Sequence, residues 1–224
     1  MILLGSLVNG GAIVAGGLVG MFAGKLLPER LRSSVMSALS LMTIGIAIPG
    51  LLKSANALIP IISMVIGTII GELLNIDAAV NKLGENLQKR FSGSRVTEGF
   101  VTGSLVFAVG AMAVMGSLES GLKNDHTILM TKSVIDMAGS VAFAGSLGIG
   151  VAFSALSILV LEGTVTLLAS LLTGVLTDAV ITEISVTGSL IIIGVGLNVL
   201  GLTKLRIMNM TPALLLPILL CRFM

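Results

Sequence analysis

The chain has 224 residues, of which 55% are hydrophobic and 11% charged, and its mean hydropathy is +1.11. A soluble domain would carry about a quarter charged residues, so this chain has too little polar surface to cover a water-soluble globule. The net charge of +2 is small and gives no reason to expect nucleic acid as a partner. With one cysteine and one histidine, the chain excludes an internal disulfide and paired Cys or His metal ligands. We therefore expect a protein of the lipid bilayer with no metal and no cofactor.

Long apolar stretches divide the chain into helices of membrane-spanning length, about 20 residues each. The first stretch lacks the basic start of a signal peptide and is too long for its apolar core, so it is predicted to be a retained span. We predict an all-α, polytopic transmembrane helical bundle of seven to eight spans in a single domain, residues 1–224. The spans are predicted at 2–24, 34–52, 58–74, 98–118, 128–146, 151–172, 180–202 and 211–223. The last is short enough to be a half-helix.

Residues 76–95 have a different pattern. Ile76, Val80, Leu83, Leu87 and Phe91 recur every three or four positions, with charged residues between them. This spacing predicts an amphipathic helix that lies on the membrane surface.

The apolar stretch 128–172 would be about 67 Å long as one helix, roughly twice the thickness of a bilayer core. It must therefore fold back. Gly145, Gly148 and Gly150 predict the position of the turn.

Basic residues are unevenly divided between alternate connections of these spans. One set holds Lys53, Lys123 and Arg222, and the other holds Lys25, Arg30, Arg32, Lys82, Lys89, Arg90, Arg95, Lys204 and Arg206. Because basic loops stay in the cytoplasm, the second set predicts the cytoplasmic face and an N-terminus outside.

A weak internal repeat is also present. Gly5-Ser6-Leu7-Val8 recurs at residues 103–106 and partly at 188–191. Spans one to three and four to six would then be copies that enter the membrane from opposite sides, an inverted repeat of the kind found in transporters and channels.

Charged residues inside the predicted spans are the first candidates for function, because each costs about 2.5–3.5 kcal/mol to insert at mid-bilayer. Asp136 and Glu162 lie near the middle of the fifth and sixth spans. Lys132 precedes Asp136 by four residues, so the two can pair on one helix face. A self-neutralising structural pair is the alternative. Glu162 needs an aqueous cavity, a proton or a partner on another helix.

Other polar residues within the spans are weaker candidates. Asn9 and Asn198 could join helices by hydrogen bonds or could line a path. Glu72 and Glu183 lie near span ends, where a carboxylate can reach water.

Small residues recur every four positions in two spans. In membranes such stripes let helix backbones approach closely, either within a chain or between the subunits of a homo-oligomer. The stripes are Ala12, Gly16, Gly20 and Gly24 in the first span, and Gly67 and Gly71 in the third.

No enzyme motif is present: the sequence lacks a nucleophile elbow, a Walker loop and a zinc-protease helix motif. Ser133 adjoins Lys132, but neighbouring helical side chains point about 100° apart and cannot form a catalytic pair. We therefore expect no enzymatic activity.

Several long stretches resemble the domain-of-unknown-function 554 family of bacterial inner-membrane proteins. They are GSLVNGGAIVAGGLVG at 5–20, LPERLRSSVM at 27–36, GAMAVMGSLESGL at 110–122, LMTKSVIDMAGSVAFAGSLGIGVAFSALSILVLEG at 129–163 and ITEISVTGSLIIIGVGLNVLGLTKLRIMNMTPALL at 181–215. The label usually attached to that family is possible sodium channel or pump, so the resemblance implies ion transport. The family pattern includes the positions of Asn9, Lys132, Ser133, Asp136, Glu183, Asn198, Asn209 and Pro212.

The chain departs from the expected family pattern next to Gly163. An aromatic residue and a glutamine are expected where Leu161 and Glu162 stand. Glu162 would then not be a residue that the whole family shares, and Asp136 gains weight.

The leading hypothesis is a transporter or channel for a small solute, most readily a monovalent cation such as sodium, in the bacterial inner membrane. The turn at Gly145–Gly150 would contribute backbone groups, and the pathway side chains would be Asp136, Lys132, Ser133, Glu162, Asn9, Asn198 and Glu183. The alternative is a scaffold or lipid-interacting membrane protein with a dry interior, in which Lys132 and Asp136 simply pair.

Overall fold

The computed structural model describes residues 1–26, 28–80, 82 and 95–223. Within them, ten α-helices and one 3-10 helix follow one another. In chain order they are α1 (Leu4–Lys25), α2 (Glu29–Leu51), α3 (Leu58–Leu74), α4 (Val96–Ala108), α5 (Ala111–Lys123), α6 (Thr127–Leu147), α7 (Gly150–Leu167), α8 (Ala169–Leu172), α9 (Asp178–Val199), the 3-10 helix (Ile207–Leu214) and α10 (Leu216–Leu220). Residues 76–80 are also helical, and the rest of the predicted surface helix lies outside the described residues except for Lys82 and Arg95.

Five of the described helices are long and apolar enough to cross a membrane: α1, α2, α6, α7 and α9. The bent pair α4 and α5 would make a sixth crossing. α3 and the segment Ile207–Leu220 are apolar but shorter. Large apolar side chains cover the outward faces, as at Val134 (72% exposed) and Leu156 (68% exposed). Such a surface is stable only against lipid, so the all-α polytopic bundle is confirmed, and contact with the bilayer follows from it.

The glycine stripe of α1 packs this helix closely along α6. A Cβ atom on Gly16, Gly20 or Gly24 would overlap backbone carbonyl oxygens of α6. The contacts advance in the same direction on both helices, so α1 and α6 are parallel. The other side of α1 packs against α7, which runs antiparallel to it, since Gly10 meets Leu159 and Gly17 meets Ala152.

The remaining helices extend this alternation. Glycine contacts show that α4 runs parallel to α7, while α9 runs antiparallel to both α2 and α4. Successive spans therefore alternate in direction. Residues 1–3, 124–126 and 168–177 lie at one end of the bundle, which we call the N-terminal face.

The predicted fourth span, 98–118, is in fact two helices, α4 and α5, bent by 63°. Val109 is extended and Gly110 has φ +133°, a conformation that favours glycine. The break inserts the Val109 side chain at Gly188 of α9, where a Cβ would collide with it. The uninterrupted apolar run over these residues predicted a single helix and not this break.

The predicted turn between the fifth and sixth spans is confirmed. α6 ends at Leu147, the next residue Gly148 has φ +76°, and α7 begins at Gly150. α7 ends at Leu167, five residues before the predicted limit of 172, because Leu168 leaves the helical conformation. The last predicted span, 211–223, is not one helix but a 3-10 helix containing Pro212 followed by the short α10.

The glycine stripes of α1 and α3 pack against other segments of the same chain. α1 packs on α6, and Gly67 and Gly71 of α3 pack on Ala213 and Asn209 of the final segment. A homo-oligomer would therefore have to use other surfaces. The directions of α1 and α4 are those an inverted repeat requires, but both helices pack on the same two helices, α6 and α7. The repeat stays a prediction from the sequence.

Candidate functional site

Four polar side chains from three helices meet inside the bundle; we call them the buried cluster. They are Asn9 of α1, Lys132 and Asp136 of α6, and Glu162 of α7, none more than 6% exposed. The Asn9 amide donates hydrogen bonds to Asp136 Oδ2 at 3.0 Å and to Glu162 Oε1 at 2.8 Å. The Lys132 ammonium pairs with Asp136 one turn further along the helix, and its Nζ lies 3.5 Å from Glu162 Oε1. The predicted pairing of Lys132 with Asp136 is confirmed, and the partners that Glu162 needs are Lys132 and Asn9.

The buried cluster lies nearer one membrane face than the other. Asn9, Lys132 and Glu162 are each five residues from the end of their helix at the N-terminal face, or about 8 Å at 1.5 Å per residue. Asp136 is one turn deeper. The sequence predicted Glu162 near mid-depth because the sixth span was expected to reach residue 172, whereas α7 ends at Leu167.

Two acceptor oxygens of the buried cluster remain without a hydrogen-bond partner among the described residues: Asn9 Oδ1 and Glu162 Oε2. Burying such groups unpaired is costly, since each has lost its contact with water. The cluster therefore has more acceptors than its own donors satisfy. It could accept a proton, a water molecule or a small cation.

On the side away from the N-terminal face, the buried cluster is bounded by apolar side chains. Ile13 and Ile158 are fully buried and belong to a core that also contains Phe107, Phe143 and Leu147. The rings of Phe107 and Phe143 meet edge to face with their centres 6.4 Å apart. This core separates the cluster from the opposite face.

Three of the predicted pathway residues, Ser133, Asn198 and Glu183, have their hydrogen-bond partners outside the buried cluster. Ser133 donates its hydroxyl to the Leu129 carbonyl of its own helix. Asn198, at the other end of the bundle, holds the connection after α9 through Leu205 N–H and C=O, at 2.9 and 2.8 Å. Neither residue contacts the buried cluster in any recorded hydrogen bond or ion pair.

The Glu183 carboxylate connects two other parts of the fold. Its carboxylate accepts hydrogen bonds from the Ser54 hydroxyl at 3.0 and 2.9 Å and from Ala55 N–H at 3.0 Å. At 3% exposed, Glu183 does not reach water as its position near a span end suggested. It fastens the connection between α2 and α3 to α9.

The turn at Gly148 is remote from the buried cluster as well. It follows Asp136 by twelve positions and lies at the other end of α6, about 18 Å away along the helix axis. Its backbone groups therefore cannot join the cluster.

Sequence reasoning missed two hydroxyls beside the buried cluster. Ser6 and Thr166 are each 2% exposed, and neither hydroxyl has a hydrogen-bond partner in the described part of the chain. Their spacing in the sequence could have indicated them. Ser6 precedes Asn9 by three positions and Thr166 follows Glu162 by four, so each shares a helix face with a residue of the buried cluster.

At the N-terminal face, a short loop connects α5 to α6. Asp125 accepts a hydrogen bond from Thr127 N–H at 2.9 Å. This bond holds the pKa of the Asp125 carboxyl below its usual value. His126 Nδ1 lies 2.9 Å from the Ser120 hydroxyl, so the loop reaches a side chain that is fully buried.

Apolar helices with lipid-facing surfaces around a buried charged cluster define a multi-pass helical membrane protein. The chain belongs to the family described as Protein of unknown function (DUF554), whose model matches residues 4–222. The sequence-based recognition of that family is thereby confirmed.

Two bacterial relatives match almost from end to end. The "Uncharacterized membrane protein YdfK" of Bacillus subtilis (strain 168) is 28% identical over 219 residues, which cover 96% of this chain and 94% of the relative. The "Uncharacterized protein YqgA" of Escherichia coli (strain K12) is 30% identical over 220 residues, covering 95% and 94%. No solved structure matches the chain.

Proposed function

We propose that the protein transports a small solute across the bacterial inner membrane, and that this solute is a monovalent cation. The observation that carries the proposal is the charge balance of the buried cluster. Asp136 and Glu162 supply two negative charges, and Lys132 is the one cation that contacts them among the described residues. With both carboxylates ionised, the cluster carries a net charge of −1, which one monovalent cation would neutralise.

Burial makes this imbalance significant. A charge in the membrane interior is costly unless it is paired, and intramembrane ionisable groups commonly mark ion or proton pathways. The unpartnered oxygens of Asn9 and Glu162 supply two further ligands of the type that cations prefer. Sodium and protons are the first cations to test.

The alternative of a scaffold predicts a dry interior in which Lys132 and Asp136 neutralise each other. Glu162 does not fit that expectation, because it adds a second carboxylate to the same ammonium group. The glycine faces that suggested a docking partner are filled inside the chain. Transport is therefore the better-supported function.

The experiment is cation flux into liposomes that contain the purified protein, measured with radioactive sodium and, separately, with an internal pH indicator. We expect flux of one of the two cations in the native protein and none after Asp136→Asn. Glu162→Gln removes the extra negative charge and should reduce the flux strongly. The matched control is Glu119→Gln, which removes a carboxylate on α5 whose ion-pair partner in the described part of the chain is the exposed Lys123, and this variant should transport normally.

Native flux that persists after Asp136→Asn would remove the buried cluster from the transport pathway. Absence of flux for every monovalent cation in the folded native protein would overturn the proposed function.

The sidedness of the protein is part of the proposal. Nine basic residues fall on the face opposite the N-terminus in the predicted topology, so that face is proposed to be cytoplasmic. Asn124→Cys, in an exposed loop of the N-terminal face, should react with a membrane-impermeant thiol reagent in intact bacteria whose outer membrane is permeabilised. Reaction only in inverted vesicles would reverse the orientation.

A further inference from the structure

The surroundings of the buried cluster differ sharply along the membrane normal. One turn from Asn9 and Glu162 towards the N-terminal face are Ser6 on α1 and Thr166 on α7. One turn in the other direction are Ile13 and Ile158. Because α1 and α7 are antiparallel, the two hydroxyls share one level and the two isoleucines share another.

Towards the N-terminal face, the level of Ser6 and Thr166 is next to α5. A Cβ atom on Gly5 would lie 3.2 Å from Ser120 Oγ, and one on Gly121 would overlap the Thr166 carbonyl oxygen. Ser120 and Gly121 therefore lie against Gly5, which precedes Ser6 in α1, and against the backbone of Thr166 in α7.

Ser120 of α5 contacts the loop at the N-terminal face. Its hydroxyl is fully buried and lies 2.9 Å from Nδ1 of His126. His126 is half-buried in the loop at the N-terminal face. Polar side chains are thus present at successive levels between the N-terminal face and the buried cluster.

The unpartnered oxygens lie along this same route. Within the described residues, Ser6 Oγ, Thr166 Oγ1, Asn9 Oδ1 and Glu162 Oε2 are buried without hydrogen-bond partners. Hydroxyls can both donate to water and accept from it, and buried polar groups of this kind are commonly satisfied by water. At the isoleucine level the Ser140 hydroxyl already donates to the Ile13 carbonyl at 2.7 Å, and no side-chain oxygen there is left without a partner among the described residues.

We propose that Ser120, Ser6 and Thr166 line a hydrated entry path by which a cation reaches Asp136 and Glu162 from the N-terminal face, with Ile13 and Ile158 closing the opposite side. That a cation uses the path rests on the proposed function. That water enters it from one face does not.

The test measures water access at single cysteines in a chain whose native cysteine has been removed by Cys221→Ala. Ser6→Cys and Thr166→Cys are small changes at two independent positions of the path. The controls are Ile13→Cys in the apolar level and Val134→Cys, which faces lipid at the depth of the buried cluster and is 72% exposed. Asn124→Cys reports which vesicle side is the N-terminal face.

Each variant is reconstituted, shown to be folded by gel filtration, and treated from one side with a membrane-impermeant methanethiosulfonate. Only a hydrated thiol ionises readily, so we expect Ser6→Cys and Thr166→Cys to react at least about tenfold faster than both controls. The reaction should occur only from the side on which Asn124→Cys reacts. If one path variant fails to fold, the other still decides.

Reaction no faster than that of Ile13→Cys, or reaction from the opposite face, would overturn the entry path. The measurement needs no transport, so the two proposals fail separately. Flux without labelling would eliminate the path alone, whereas labelling without flux would eliminate only cation transport.

Discussion

The amide nitrogen of Asn9 lies 2.8 Å from Glu162 Oε1, although the two residues are 153 positions apart in the sequence. The same nitrogen donates to Asp136. One amide therefore joins α1, α6 and α7, the three helices around the proposed cation site.

Removing the ammonium group should destabilise the protein severely. Lys132→Met leaves Asp136 and Glu162 buried without a cation, and breaking a buried ion pair in this way costs about 3–5 kcal/mol. The free energy of unfolding, measured by titration from mild detergent into dodecyl sulfate, should fall by that amount. Lys123→Met, which breaks the exposed pair with Glu119, should cost no more than about 1 kcal/mol. Equal losses for the two variants would contradict a charged cluster.

Close packing of α1 on α6 should be sensitive to a single methyl group. Gly20→Ala places a Cβ against the Val141 carbonyl oxygen, and overpacking of this kind typically costs about 1–3 kcal/mol. Gly11→Ala on the same helix meets nothing within 4 Å. It should leave stability unchanged or raise it by up to about 1 kcal/mol, because alanine is the better helix former. The same unfolding titration checks both, and a stable Gly20→Ala protein would contradict the packing.

Ser54 and Glu183 should be energetically coupled. Their two hydrogen bonds fasten the α2–α3 connection to α9. In a double-mutant cycle with Ser54→Ala and Glu183→Gln, we expect a coupling energy of about 0.5–3 kcal/mol. The cation flux of Ser54→Ala should be close to that of the native protein, because this contact lies outside the buried cluster. Additive effects on stability would show that the two side chains do not interact.

Acid should release the loop at the N-terminal face. Thr127 N–H lowers the pKa of Asp125, so this carboxylate contributes stability above its unfolded pKa of about 3.9 and loses it as the pH falls through the lower folded value. Asp125→Ala should therefore melt at a lower temperature than the native protein at neutral pH, and the difference should vanish in strong acid. A difference that does not vary with pH would contradict the assignment.

Some of this structure could be read from the sequence because it depends on local spacing. Lys132 and Asp136 pair at four residues' separation on one helix, and Gly148 turns the chain where glycine is required. Composition alone predicted helices embedded in lipid. These features need no knowledge of which helices are neighbours.

The rest depends on helix pairing, which periodicity does not encode. From the sequence alone, Asn9 could have faced lipid, another helix or a second subunit. Its partners depend on the glycine contacts that pack α1 between α6 and α7. The break at Gly110 lies in an apolar run, and it accompanies a contact of Val109 with Gly188, a residue of another helix. The contact of Glu183 with the α2–α3 connection could not be predicted, because its partner Ser54 is 129 positions away in the sequence.

Equilibrium cation binding to the purified protein tests the central claim most directly. With both carboxylates ionised, the buried cluster has a net charge of −1, which predicts one monovalent cation per chain, detected with radioactive sodium and displaced by acid where protons compete for the same oxygens. Asp136→Asn should abolish this binding, whereas Glu119→Gln should leave it intact. Sodium or proton binding that survives Asp136→Asn unchanged would contradict the account.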